Sequence, residues 1–204
     1  MQAGLGEIHH TPSQLNIQVY IANRPPMAPY DEQEDCVPMI NGEIQAIAQH
    51  TGNHWRKVFN VYAKFMFECI QGMSKAAANL PGVQHYLKGF DAFTSWQDYR
   101  DACLLQQDSA TALLFTPPCF ESNSIDQHDQ TMHIIMGKGY AQQCGFEYEP
   151  PFLLEHHHGD FAVYPKKRVI LCPYFDYRQL SNEKIAVLVD IILSMLETDV
   201  LLNA

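Results

Sequence analysis

Apolar positions along the chain follow two rhythms. Four short runs, Ile17–Ile21, Ala112–Phe115, Met132–Met136 and Val169–Cys172, show little polar alternation, and each leads soon into Asn, Pro or Gly. Strands covered on both faces, as in a parallel sheet, read this way, and the breakers that follow argue against buried helix segments. Elsewhere apolar residues return every three or four positions. Val58, Tyr62, Phe65, Met66 and Cys69 give a helix between the first two strands one apolar face. A second helix is predicted after Thr94, with Ser95 as N-cap, Asp98 in the first turn and Tyr99, Ala102, Cys103 and Leu105 turned inward. The last helix follows the N-cap Ser181 and carries Ile185, Leu188, Val189, Ile192 and Leu196 toward the C-terminus.

Strands separated by helices imply right-handed crossovers. The prediction is an α/β fold: a three-layer α/β/α sandwich with a four-stranded parallel sheet, its ligand crevice beyond the carboxyl ends of the strands. A chain of 204 residues forms one such domain, 1–204, in which 1–14 read as an irregular N-terminal segment.

Charge narrows the partners. With 13 basic and 23 acidic residues the formal net charge is −10, a field that repels phosphate backbones and anionic membrane surfaces. Nucleic acid is therefore disfavoured, though not excluded, because the local basic runs His54–Lys57 and Lys166–Arg168 can line a groove on an acidic protein. The longest apolar stretch, Ile185–Leu196, is broken by Asp190 and falls short of the roughly 20 residues that span a bilayer. Six dispersed cysteines, no C-x-x-C pair and no signal peptide at the start fit reduced thiols in a cytoplasm.

Candidate chemistry sits just after each strand. Arg24, Lys138 and Arg178 are cations placed to surround a crevice, with Asn23, Tyr140, Tyr174 and Asp176 placed to orient a polar or planar ligand. A small anion or a nucleotide-like molecule suits that set. The same residues also read as ordinary loop side chains, with Tyr174 a packed aromatic. Gly137-Lys138-Gly139 lacks the spacing of a phosphate-cradling P-loop and reads as a glycine turn. His156 and His158 share an edge of an extended segment, but two imidazoles do not close a zinc site, and His128 and His133 stand at no diagnostic spacing. Cys119 has no identifiable base, and Asp31, Glu32, Glu34 and Asp35 read as a solvated acidic loop. No metal or cofactor is expected, and the enzyme class stays open.

The order of the motifs resembles the uracil-DNA glycosylase superfamily. Met132–Gly137, followed by Lys138-Gly139-Tyr140-Ala141-Gln142, looks like that family's strand and turn into W-G-x-x-A-Q. Ala112–Phe115 followed by Ser122-Asn123-Ser124 resembles its second strand and the loop carrying a short N-S element, which makes Asn123 a ligand-binding candidate. Val169–Cys172 followed by Leu180-Ser181 is similar to the strand leading into H-P-S-P-L-S, without the histidine. Val19–Pro25 is similar to the strand carrying G-Q-D-P-Y-H, but Arg24, or Ala28 on a shifted match to Pro29-Tyr30, stands where the family places its catalytic Asp.

The resemblance implies a sheet of strand order 2-1-3-4. It also implies a descendant that lacks glycosylase activity and binds a small nucleobase- or nucleotide-like ligand at the strand-end crevice. Two alternatives remain: a DNA-repair-type glycosylase or hydrolase using a relocated carboxylate such as Asp31 or Asp176, and a protein-interaction module with no small-molecule site.

Overall fold

A computed structural model describes residues 2–8, 13–76, 80, 82–120, 130–147 and 159–203. The elements run β1 Gly4–Gly6, β2 Leu15–Tyr20, β3 Cys36–Val37, α1 Glu43–Thr51, α2 Asn53–Ala76, α3 Gln84–Leu87 and α4 Trp96–Ala102. They continue with β4 Thr111–Leu114, β5 Gln130–Met136, α5 Lys138–Gln143, β6 Ala162–Tyr164, β7 Val169–Cys172 and α6 Asn182–Asn203. Asn123 and the His156–His158 segment lie outside the described residues, as does His128.

The four strands expected from the apolar runs pair in parallel as β4-β2-β5-β7, which in chain order is second, first, third, fourth. The sheet is larger than four strands, however. Short strands extend it to the mixed seven-stranded order β3-β1-β4-β2-β5-β7-β6, with antiparallel joins at β1–β4 and β6–β7. These additions have two or three residues each, too few for a pattern to stand out from the sequence. The N-terminal segment read as irregular supplies one of them, Gly4–Gly6.

Registration puts Leu5, Leu113, Val19, Ile134, Ile170 and Val163 in one row across the sheet, all within the large apolar core. That face is covered by α1, α2, α3, α4 and α6. The opposite face carries Tyr20, Leu114, Ile135 and Leu171 in a smaller cluster with Ala141 of α5 and Phe146. Among the described residues the two faces are unequally covered, with α5 the only α-helix that contributes to the second-face cluster. Gln18 pairs laterally with His133 on that face, and the Tyr20 hydroxyl donates to Gln18 Oε1 at 2.8 Å and lies 2.7 Å from His133 Nδ1. Buried polar side chains of this kind are tolerated because they bond to one another.

Helix signals were legible in the sequence. Ser95 caps α4 by accepting from the Asp98 N–H at 3.2 Å, and Ser181 Oγ accepts from Lys184 N at 3.5 Å at the start of α6. Val58, Tyr62, Phe65, Met66 and Cys69 are all buried, as are Ile185, Leu188, Val189, Ile192 and Leu196. Ala102, expected to face inward, is exposed, because α4 ends there and the chain turns to bury Leu104 and Leu105 instead. All six cysteines are free thiols, and no helix among the described residues is long and apolar enough to cross a membrane.

Candidate functional site

Helix α2 creates the site. Gly52, at φ 77°, turns the chain between α1 and α2 in a conformation that favours glycine, so that α2 starts afresh beside the carboxyl end of β2. Its first turns carry Trp55 inward, only 1% exposed, while His54 stays at the surface. Between this helix start and the segment after β2 lies an open crevice of about 360 Å³, lined by Ala22, Asn23, Arg24, Pro26, Thr51, His54 and Trp55.

Two of the expected residues, Asn23 and Tyr174, bond each other at the crevice edge and bring in His54. Asn23 Nδ2 donates to the Tyr174 hydroxyl at 3.4 Å, and that hydroxyl lies 3.0 Å from His54 Nε2. Since the hydroxyl accepts from Asn23, its own proton is available to Nε2. The His54 and Tyr174 rings stack at 5.7 Å between centroids, tilted by 29°. Burial raises the Tyr174 pKa, so the hydroxyl keeps its proton and serves as a hydrogen-bonding group rather than a phenolate. Tyr174 therefore does not line the crevice itself. It stands behind Asn23 and His54 and fixes both.

Arg24 lines the same crevice, with its guanidinium 5.7 Å from the centre of the Phe115 ring and Nη1 donating to the Gln33 carbonyl at 2.7 Å. Phe115 in turn meets Trp55 edge to face at 6.2 Å. The cation is thus held by an aromatic and a carbonyl, and no carboxylate neutralises it through an ion pair among the described residues.

The other expected residues among those described do not line the crevice. Asp176 pairs with Lys57 at 3.0 Å, their side chains 21% and 24% exposed, and accepts from the Arg178 N–H at 2.9 Å. The backbone bond from Arg178, and then the Lys57 ammonium, hold its carboxyl below the usual carboxylate range. Arg178 is exposed, beside Tyr177. Lys138 is exposed at the start of α5, and Tyr140 turns to the second face, where its ring packs on the smaller cluster. The Tyr140 hydroxyl is buried beside the Cys144 thiol, and burial is the first cause that raises its pKa.

Sequence reasoning missed His54 as a site residue. Its only signal was membership of the basic run His54–Lys57, and nothing in the linear pattern pairs it with Tyr174, 120 positions away. Among the described residues no group of three His, Cys, Asp or Glu is placed to hold a metal ion.

Fold and crevice together define an α/β protein with a mixed seven-stranded sheet and an aromatic, cationic opening at the carboxyl ends of its parallel strands. The chain belongs to DUF6942, a family of unknown function, whose model matches residues 4–193. No curated protein and no solved structure matches it.

Proposed function

We propose that the protein binds a small, planar, nucleobase- or nucleotide-like ligand in the crevice at the start of α2, on a glycosylase-like fold that has lost glycosylase activity. The observation that carries this reading is the His54 ring, held by Tyr174, which Asn23 also bonds, in an open crevice of about 360 Å³ that Arg24 lines as well. The volume suits a small ligand, since such sites occupy roughly 300–1,000 Å³. His54 offers a flat face for stacking, the Asn23 amide offers a donor and an acceptor, and Arg24 supplies fixed positive charge. The parallel order β4-β2-β5-β7 supports the likeness to the glycosylase superfamily.

Thermal shift against a panel of nucleobases and nucleosides tests the reading. At a hundredfold excess over Kd, a ligand specific for the native state adds about 2.7 kcal/mol. For a chain of this size that is a Tm rise of roughly 5–10 °C. Arg24→Ala and His54→Ala are expected to abolish most of that rise by removing direct contacts. Tyr174→Ala is expected to reduce it by releasing His54 and Asn23. Equal shifts in wild type and all three variants eliminate the site.

Neither carboxylate named for the hydrolytic alternative is placed to serve as its base. A general base must be within reach of the water it activates and have a matched pKa. Asp176 is instead committed to Lys57 and Arg178 with its pKa depressed, and Asp31 borders a separate surface hollow with Ala28, Pro29, Glu32 and Gln33. Purified protein is accordingly expected to release no uracil from single- or double-stranded DNA. Excision that survives both Asp31→Ala and Asp176→Asn refutes the mechanistic argument; excision lost in one of them identifies that residue as a relocated base.

A further inference from the structure

We infer that the crevice ligand carries a phosphate, held by Arg178 on the segment after β7 that also meets His54 and Lys57, so that the ligand is a free mononucleotide. This rests on the crevice being a nucleobase site and specifies the other half of the same ligand.

His54 and Lys57 are three positions apart on α2, which places their side chains on one face, about 5–6 Å from Cβ to Cβ. Each meets the segment that follows β7. His54 stacks on Tyr174, and Lys57 bonds Asp176 and lies 5.0 Å from the centre of the Tyr177 ring. Arg178 brings its guanidinium to 5.8 Å from that same ring, which is 53% exposed. Tyr177 is one of the few large apolar groups exposed in the described chain. Lys57 and Arg178 thus share one exposed ring, next to the Asp176 carboxylate, on a protein of formal net charge −10.

Asp176 offsets the charge of Lys57 and leaves that of Arg178. One carboxylate oxygen accepts from the Lys57 ammonium and the other from the Arg178 backbone N–H, which leaves the Arg178 guanidinium itself without a hydrogen-bonded carboxylate among the described residues. A guanidinium presents a planar fork of donors that matches phosphate oxygens two at a time. The arrangement thus offers a ring for a base at His54, which stacks on Tyr174, and a fork for a phosphate at Arg178, four residues on from Tyr174. A long phosphodiester strand would meet the repulsion of the whole acidic molecule, whereas a mononucleotide places its charge only at Arg178.

Isothermal titration of wild type, Arg178→Ala and Tyr174→Ala decides the matter, with uridine and adenosine compared with their 5′-monophosphates and with a ten-residue oligouridylate. Wild type is expected to bind a monophosphate about tenfold or more tightly than its nucleoside, a difference of about 1.4 kcal/mol. In Arg178→Ala that gap should close to about twofold with nucleoside affinity unchanged, as expected for the loss of a charge-assisted contact. In Tyr174→Ala both ligands should weaken while the gap persists. Nucleosides that bind as well as their monophosphates, or a gap that survives Arg178→Ala, overturn the phosphate assignment and leave the crevice reading intact. Absence of binding by nucleosides and nucleotides alike overturns both. Tighter binding of the oligouridylate than of the mononucleotide overturns the assignment to a free nucleotide.

Discussion

Gly6→Ala is expected to destabilise the protein by about 3–5 kcal/mol, through a close approach combined with a backbone conformation that side chains avoid. Gly6 has φ 103°, and a Cβ there would meet Thr111 O at 2.4 Å and Ala112 Cα at 2.9 Å. Both are backbone atoms of β4, which pairs with β1 on one side and β2 on the other, so neither can retreat without loosening the sheet. At roughly 2–4 °C per kcal/mol, the variant should melt about 6–20 °C below wild type. Gly139→Ala is the matched control, since Gly139 lies in α5 and a methyl group added there would have no atom within 4 Å. It should be neutral or stabilising by up to about 1 kcal/mol. Urea and thermal denaturation check both, and a Gly6→Ala variant within about 1 kcal/mol of wild type would show that β1 is not seated against β4 as described.

Trp55→Ala is expected to cost about 3–5 kcal/mol and to abolish ligand binding under conditions where the variant remains folded. The indole is 1% exposed and packs against Phe59 at 5.6 Å and Phe115 at 6.2 Å, the latter carrying Arg24 on its face. Its removal opens a cavity under the crevice and frees the ring that supports the cation. His54→Ala, one residue away but exposed, should change stability by no more than about 0.5 kcal/mol while still weakening binding. Denaturation curves separate the two effects, and titration with uridine and adenosine 5′-monophosphates reads the second. A Trp55→Ala protein that binds like wild type would remove the crevice from consideration.

The sequence by itself determined the four central strands and the major helices, because each buries enough residues at a fixed period to leave a pattern. Val19, Leu113, Ile134 and Ile170 fall in apolar runs for the reason that they share a row beneath α2 and α6, and water is excluded from the whole row. Ser95 and Ser181 were legible as caps because the unpaired N–H groups of a helix start are satisfied locally, within three residues.

Tertiary structure alone decided the rest. β1, β3 and β6 are short strands whose pairing with distant partners, rather than any local periodicity, makes them strands. The unequal cover of the two faces among the described residues depends on which face each connection takes, and an apolar helix stripe does not record the face it covers. At the site, Asn23, Arg24 and Tyr174 were visible as polar and aromatic residues after strands, but their roles were not. Tyr174 supports His54 instead of meeting a ligand, Asp176 is committed to Lys57, and Tyr140 leaves for the opposite face. These outcomes rest on contacts between residues up to 151 positions apart, as between Asn23 and Tyr174, and such contacts are set by how α2 docks across the strand ends. Local patterning reports burial and backbone geometry; convergence of side chains from separate elements exists only once those elements are packed.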